Sequence, residues 1–356
     1  MKFLRKMLLF LCSAVLLSAF AVACLISLLC MMKRSVKSTG YDSEHKPPFH
    51  STLSFQKSCN TRLFTLNELD EATKGFNEGQ KLMNGSSGNI FTGTLKDGSH
   101  IAVQRVQCDD EQDLMQVLNR IELLSTVLHR HLAHILGCCI DSGYTPMVVY
   151  EFPENKSLQD HLHQGKEPKI GLEWYKRLSI AAQTSSILAF LQHEISPSIF
   201  HHDLTTSSIF LDEEYNVKVA CFGLSANSNL YRSDVYDMGI VLLEIISGSK
   251  LADITLILQK IRDGKLEEMI DPLLYYHEQP PFRKEQIEMV ADLATRCLIF
   301  GGSGKLRMVD VARELVHIMK ESIDGGSKRR PGLEETFSNS SLLQMISMSP
   351  DSIHVP

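Results

Sequence analysis

The order of two kinds of patterning constrains the fold of residues 63–322 most strongly. Up to residue 152 the chain is strand-like: "KLMNGSSGNIFTGTL" predicts a hairpin, and "HIAVQRV" and "YTPMVVYEF" predict further strands. Between the last two, one amphipathic helix is predicted from the helical spacing of Leu114, Leu118, Ile121, Leu124 and Leu128.

Beyond residue 152 the patterning becomes mainly helical. "LEWYKRLSIAAQTSSILAFLQHEI", "SDVYDMGIVLLEIISG", "FRKEQIEMVADLATRCL" and "VDVARELVHIMKE" each carry an apolar stripe, and Gly248 supplies a stop signal for the second. "SSIFLDEEYNVKVACFGLS" predicts a short hairpin. A small sheet with one helix, followed by a helical bundle, is an α+β fold with two lobes, residues 63–152 and 153–322.

An uninterrupted apolar run lies near the N-terminus. Residues 7–32 carry no charge, and 26 residues are enough for a helix across a hydrocarbon core of about 30 Å. A cleaved signal peptide is the alternative, because Ala21-Val22-Ala23 resembles a cleavage site. The length of the run and the Lys33-Arg34 flank favour a retained transmembrane helix. Basic residues flank both sides equally, so charge does not decide its orientation.

Polar segments flank these regions. Residues 1–6 form a short N-terminus, residues 33–62 predict a juxtamembrane linker, and the Ser-rich residues 323–356 predict a disordered tail.

A net charge of −6 gives no sign of a nucleic-acid binder. Nine cysteines without Cys-x-x-Cys or Cys/His metal spacing favour a reduced domain without a metal site over a disulfide framework.

Several segments together resemble the protein kinase domain of the plant receptor-like kinases, most closely the wall-associated subgroup. The resemblance covers residues 64–320 and rests on "FTLNELDEATKGFNE", "LHRHLAHILGCC", "VVYEF", "LEWYKRLSIAA", "HHDLTTSSIFLDEEYNVKVACFGLS" and "SDVYDMGIVLLEIISG". It implies a fold in which ATP and magnesium bind between the lobes, and it gives each position in that cleft an expected role.

The positions that the resemblance assigns to the phosphates are altered. The glycine loop keeps Gly85 and Gly88 but has Met83 at its first glycine, where backbone must pass close to the ligand. Gln104, which carries no charge, replaces the strand lysine that holds phosphate oxygens. The helix glutamate that pairs with that lysine is Arg120. An ion pair has therefore become a neutral amide and a cation.

The positions assigned to adenine are altered as well. Pro153 stands where a backbone N–H would bind the ring, and proline has no N–H. Phe210 replaces a smaller leucine and partly fills the ring site. The remaining nucleotide-binding positions, which keep the family's character, are Ile90, Ala102 and Glu151.

The catalytic loop retains Asp203, which the resemblance makes a vestigial catalytic base. The lysine expected two residues later is Thr205, and Ser208 and Cys221 replace the two magnesium ligands. Magnesium prefers hard oxygen ligands, so a hydroxyl and a thiol do not reproduce the site. Cys221 is interpreted as a small, buried, inert residue, with a redox-sensitive thiol as the alternative.

Positions that the resemblance assigns to holding the fold together are kept. Leu124, His201 and Phe222 represent the apolar column that braces an active kinase, and Asp234 would anchor the backbone of the catalytic loop. By contrast, only eight residues, 226–233, separate "CFGLS" from Asp234. The activation segment that presents a peptide substrate in the family is therefore largely missing.

These departures predict a pseudokinase that uses no cofactor, since ATP and magnesium both lose their contacts. The resemblance implies a single-pass plasma-membrane protein whose cytosolic kinase-like domain docks onto, or regulates, an active receptor kinase or another signalling protein. The alternatives are a metal-independent nucleotide sensor, with Arg120 contacting phosphate, and a weakly active Ser/Thr kinase with relocated groups. No extracellular ligand is inferred, because no ectodomain precedes the apolar run.

Overall fold

A six-stranded sheet and a helical bundle make up the part of the chain that the structure describes. The computed structural model describes residues 61–85, 88–141, 143–153, 155–163, 172–224, 233–274, 276–278 and 280–324. The predicted transmembrane helix lies outside these residues, as do nearly all of the predicted linker, tail and shortened activation segment. Within the described ranges, no helix is both long enough and apolar enough to cross a bilayer.

The sheet forms the N-terminal lobe. Its strands are β1 (Arg62–Leu63), β2 (Lys81–Gly85), β3 (Gly88–Thr94), β4 (His100–Arg105), β5 (Ile135–Cys139) and β6 (Met147–Glu151). They lie in the order β1-β5-β6-β4-β3-β2, with β1 parallel to β5 and every other neighbour antiparallel. The predicted hairpin and strands are confirmed. Strand β5 was not predicted, because "ILGCC" shows no alternation of apolar and polar residues.

Gly88 shows why a glycine is needed at the start of β3. Its φ is +134°, and a Cβ added there would lie 1.8 Å from the carbonyl oxygen of Arg105. Only glycine allows the two strands to approach so closely. The packing of the sheet therefore explains Gly88 without a ligand.

Two helices belong to the N-terminal lobe, α1 (Leu66–Ala72) and α2 (Glu111–Ser125). Asp110 begins α2 by accepting a hydrogen bond of 2.8 Å from the backbone N–H of Asp113. The predicted stripe is correct as far as Leu124, but its last member is wrong. Leu128 lies three residues beyond the end of α2 and is 74% exposed. Helix α1 is additional to the single helix that the sequence predicted.

The C-terminal lobe contains a short hairpin and six helices within the described residues. The hairpin is β7 (Ile209–Leu211) and β8 (Val217–Val219), and the helices are α3 (Leu158–Leu162), α4 (Trp174–His193), α5 (Asp234–Ser247), α6 (Ile254–Arg262), α7 (Pro281–Phe300) and α8 (Met308–Asp324). Helix α5 packs against α7, and α4 packs against α8. Gly248 ends α5 at φ +64°, as the sequence predicted. The two-lobed plan is confirmed.

Candidate functional site

Gln104 is the centre of a hydrogen-bond chain between the lobes. It lies near the end of β4 with only 1% of its surface exposed. Its Nε2 donates to the carbonyl oxygen of Phe222 at 2.9 Å, and its Oε1 accepts from the hydroxyl of Tyr150 at 3.0 Å. A neutral amide with internal partners therefore occupies the position of the family's phosphate-binding lysine. The neighbouring Arg105 does not take part, since its guanidinium lies 5.0 Å from the ring centre of Phe76.

Arg120 also bonds to the C-terminal lobe. Its Nη2 donates to the carbonyl oxygen of Phe200 at 3.3 Å, at the start of the catalytic loop. The family's lysine and glutamate would pair with each other. Here the residues at the same two positions, Gln104 and Arg120, each donate to a main-chain carbonyl on the other side of the cleft.

The apolar side chains assigned to the adenine site are buried. Ile90, Ala102 and Phe210 are each 0% exposed. The ring of Phe210 meets that of Phe152 edge to face at 5.1 Å between centroids. These residues therefore present no exposed apolar surface on which a purine ring could stack.

The segment beyond β6 is held by contacts of its own. Glu151 forms an ion pair of 3.1 Å with Lys218 of β8, and the N–H of Phe152 donates to His100. The half-buried Pro153 follows without an N–H donor.

In the glycine hairpin, Met83 pairs with Ile90 and Gly85 with Gly88 in the strand register.

Asp234 holds the start of the catalytic loop. One carboxylate oxygen accepts from the N–H of His201 at 2.9 Å and from Nε2 of Gln192 at 2.7 Å, and the other accepts from the N–H of His202 at 2.8 Å. The carboxylate is only 3% exposed. Three donors, one of them fully buried, therefore depend on this one side chain.

His201 and Phe222 stack on each other, with ring centroids 4.5 Å apart and an interplanar angle of 25°. Nε2 of His201 donates to the carbonyl oxygen of Ala220 at 3.0 Å, and its Nδ1 accepts from the N–H of Asp203 at 3.3 Å. Burial lowers the pKa of His201, which favours the neutral ring that these contacts require. Leu124 lies in the same buried cluster. The structure thus brings these residues into one core.

The hydroxyl groups in the catalytic loop bond within the loop. Ser208 is fully buried, and its Oγ donates to the carbonyl oxygen of Thr205 at 2.9 Å while accepting from the N–H of Thr205 at 3.1 Å. The Thr205 hydroxyl lies 2.8 Å from that of Ser207. The Ser208 hydroxyl, at the family's asparagine position, therefore stabilises the turn of the loop. Asp203 is the one carboxylate that this loop contributes.

Cys221 is buried, with 2% of its surface exposed, and has a left-handed backbone with φ +61°. Burial, and to a smaller extent the nearby charge of Asp203, raise the pKa of its thiol well above the usual range. The thiol is therefore protonated at neutral pH, which fits an inert residue and disfavours a reactive one. No cluster of three or more potential metal-ligating side chains exists among the described residues.

Tyr150 is the site residue that sequence reasoning missed. It is 1% exposed, and its hydroxyl completes the chain through Gln104 to Phe222. Burial is the main reason that its pKa is raised well above the usual value, so the hydroxyl stays protonated and can donate. The signal was present in "VVYEF", because a tyrosine in a buried strand needs a hydrogen-bond partner.

Comparison with known proteins identifies the family. Residues 76–232 match the family profile "Protein tyrosine and serine/threonine kinase". A probably inactive receptor-like protein kinase of Arabidopsis thaliana is 48% identical over 97% of this chain and 54% of its own length. Wall-associated receptor kinase-like 14 of the same plant is 36% identical over 72% of this chain and 41% of its own length. The chain thus spans about half the length of these curated relatives.

A solved structure shares the fold. The pseudokinase domain of BIR2, described as an immune regulator of the RLK/Pelle family, superposes with a TM-score of 0.60 at 24% identity, over 74% of this chain and 87% of that one. Together with the sequence relatives, it identifies the two lobes and the cleft between them. The chain contains a protein kinase domain and belongs with the receptor-like kinases.

Proposed function

We propose that this protein is a membrane-anchored receptor-like pseudokinase that docks onto an active receptor kinase and regulates it. The observation that carries the proposal is the hydrogen-bond chain from Tyr150 through Gln104 to Phe222, which occupies the phosphate side of the cleft with internal contacts. A binding protein of this kind needs the shape of a kinase domain and not its chemistry.

Phosphoryl transfer depends on positioned charges, chiefly magnesium and a lysine beside the phosphates. Gln104 supplies no charge. Cys221 holds a protonated thiol, and the Ser208 hydroxyl is bonded to its own loop. Asp203 remains, but a single carboxylate without metal or lysine has no means of positioning ATP. The name of the 48% identical relative, a probably inactive receptor-like kinase, supports the same conclusion.

The retained contacts support a regulatory role, because they fix the catalytic loop and join it to the N-terminal lobe through the protein's own residues. Asp234 fixes the catalytic loop, His201 stacks on Phe222, and Arg120 ties α2 to Phe200. A domain held in this way can present one constant surface to a partner. A predicted membrane helix at residues 7–32 would place that surface beside receptor kinases at the plasma membrane.

Replacement of the endogenous protein in plant cells tests the proposal. The cells receive the full-length chain or its Asp203→Ala variant, and the phosphorylation state of co-purifying receptor kinases is measured. Both forms should restore the same phosphorylation pattern, since the regulatory surface is unchanged. An Asp234→Ala variant is expected to fail, because it loses the loop anchor. Loss of the pattern with Asp203→Ala, at normal protein levels, would instead show that the protein acts through catalysis.

A further inference from the structure

The catalytic loop, residues 201–208, is attached to α5 at a second point besides Asp234. Thr206 is only 1% exposed, and its hydroxyl donates to Oε2 of Glu244 at 2.7 Å. Glu244 follows Asp234 on the same helix, about 15 Å further along the helix axis. Helix α5 therefore holds the beginning of the loop through Asp234 and its later part through Glu244.

Helix α3 meets the loop and α5 at this second point. The backbone N–H of Gln159 in α3 donates to the carbonyl oxygen of Thr206 at 3.0 Å. His163 is the residue directly after α3, and its Nε2 lies 4.0 Å from Oε2 of Glu244. The two helices and the loop thus form one junction around the carboxylate of Glu244.

The His163 ring is buried in this junction without a hydrogen bond from Nε2. That atom is buried and has no hydrogen-bond partner among the described residues, and the side chain is 18% exposed. The 4.0 Å to Glu244 exceeds the roughly 3.2 Å limit of an N–H···O bond. The carboxylate of Glu244 instead accepts from the Thr206 hydroxyl and, at 3.4 Å, from the N–H of Leu251. Both donors are neutral.

The charged groups that face His163 act on its protonation in opposite directions. Glu244 on α5 and Asp160 on α3 favour the charged ring, while Lys250 in the loop after α5 opposes it. Oδ2 of Asp160 already accepts from the N–H and the hydroxyl of Ser157. Burial is the largest influence and outweighs the two carboxylates, so the pKa of His163 lies below its ordinary value of 6.5. The ring is therefore neutral at pH 7.

We propose that His163 is an acid-sensitive switch for the attachment of the catalytic loop to Glu244. At neutral pH the uncharged ring packs beside Glu244 and shields its hydrogen bond with Thr206 from water. A protonated ring leaves this buried position for solvent, because burial of its charge is costly and Lys250 repels it. Glu244 is then hydrated and the later part of the loop loosens, while Asp234 still holds the beginning.

The sign of the pH dependence follows from the lowered pKa of His163. The open junction binds a proton at the ordinary pKa of 6.5, and the closed junction binds it only at lower pH. The closed junction is therefore complete above pH 6.5 and is lost as the pH falls from 6.5 through the lowered value.

Hydrogen–deuterium exchange of the full chain in detergent micelles, at pH 7 and pH 5, tests the proposal. The reporters are the amides of Gln159 and Ser208, which bond to the carbonyl oxygens of Thr206 and Thr205. Protection factors remove the intrinsic pH dependence of exchange. In the native chain these factors should fall by about 3- to 30-fold at pH 5, since one proton changes an equilibrium by at most about tenfold per pH unit.

His163→Gln supplies the comparison, because it keeps a polar side chain of similar reach that does not titrate. Its protection factors at these two amides should fall clearly less than those of the native chain. His277→Gln, which removes an exposed histidine outside the junction, should behave like the native chain. An equal fall in His163→Gln and the native chain, or no fall in the native chain, would overturn the proposal.

The pKa of His163, measured from deuterium exchange at its ring C2–H by mass spectrometry, provides an independent test. Glu244→Gln removes the carboxylate charge but keeps an acceptor for Thr206, so the pKa should fall. Lys250→Met removes the opposing charge, so the pKa should rise. Lys265→Met, an exposed charge outside the junction, should leave it unchanged. A native pKa at or above 6.5, or any order other than Glu244→Gln below native below Lys250→Met, would refute the assignment of His163 as the switch.

Discussion

Nε2 of Gln104 donates a hydrogen bond of 2.9 Å to the carbonyl oxygen of Phe222, 118 residues further along the chain. The bond crosses the space between a strand of the N-terminal lobe and the loop that would carry magnesium in an active kinase. It uses the amide that replaces a lysine, and it reaches the main chain one residue beyond the cysteine that replaces an aspartate. The two substitutions thus share one structural arrangement.

This arrangement predicts a coupled stability change. Gln104→Leu leaves the buried Tyr150 hydroxyl and the Phe222 carbonyl without this partner, so it should destabilise the domain by about 1–3 kcal/mol. Tyr150→Phe removes only the hydrogen bond between Tyr150 and Gln104. In urea unfolding, the double variant should lose less stability than the sum of the two single losses. Simple additivity would mean that the two bonds do not form one chain.

The loop anchor predicts a contrast between two aspartates. Asp234→Ala strands the N–H groups of His201 and His202 and should cost about 1–3 kcal/mol or more in unfolding free energy. Asp203→Ala should cost less, because this residue is only half-buried and alanine keeps the backbone N–H that donates to Nδ1 of His201. Asp234→Asn, which keeps one oxygen acceptor, should lie between them. Equal losses for Asp203→Ala and Asp234→Ala would contradict the assignment of Asp234 as the anchor.

Protonation of His131 should destabilise the fold in mild acid. It is 7% exposed, and its Nδ1 donates to the carbonyl oxygen of Val217 at 3.2 Å. Burial lowers its pKa from 6.5 to about 4. Between these values the unfolded chain binds the proton more readily than the folded one, so stability falls as the pH drops from 6.5 towards 4. The contribution of His131 should be about 2 kcal/mol between pH 7 and pH 5.

Urea unfolding at pH 7 and pH 5 measures this change. His131→Asn keeps an N–H donor but cannot titrate in this range, so it should show a smaller pH dependence than the native chain. An identical dependence in both proteins would assign the acid sensitivity to other groups.

A fourth prediction concerns repair of the cleft. Gln104→Lys, Arg120→Glu, Ser208→Asn and Cys221→Asp together restore the family's charges and metal ligands. Pro153 still lacks an N–H donor, and the larger, buried Phe210 still stands at the adenine position. Residues 226–233 are still too few to hold a peptide. The restored charges therefore have no positioned acceptor to act on. Positioning matters because a displacement of the reacting groups by about 1 Å can lower the rate about a hundredfold.

The quadruple variant should therefore gain magnesium-nucleotide affinity but transfer no phosphate to a peptide. Radiolabelled phosphate incorporation measures the second point, with the same variant carrying Asp203→Ala as its control. Robust peptide phosphorylation that disappears in the control would show that the point substitutions alone had silenced the enzyme.

Local patterns predicted much of the fold. Glycine spacing correctly predicted the β2–β3 hairpin, and Gly248 correctly predicted the end of α5. The prediction failed at Leu128, because apolar spacing continued after the helix had ended at Ser125. Strand β5 was missed because its residues are buried on both faces and so do not alternate.

The altered cleft was predictable only in part. The sequence showed which charges and ligands were gone, since each loss occurs at a single position. What replaced them depends on contacts between distant segments: Tyr150 reaches Gln104 across 46 residues, and Gln104 reaches Phe222 across 118. No local pattern encodes such contacts. The arrangement that fills the cleft therefore required the folded structure.

Thermal unfolding of the full chain in detergent, with millimolar ATP and with or without magnesium, tests the central claim most directly. A nucleotide at 100 times its dissociation constant would stabilise the fold by about 2.7 kcal/mol. Because the cleft is held by its own side chains, we expect the melting temperature to stay the same in both conditions. A clear magnesium-dependent rise in melting temperature would show that the cleft binds nucleotide as an active kinase does, and would contradict the account.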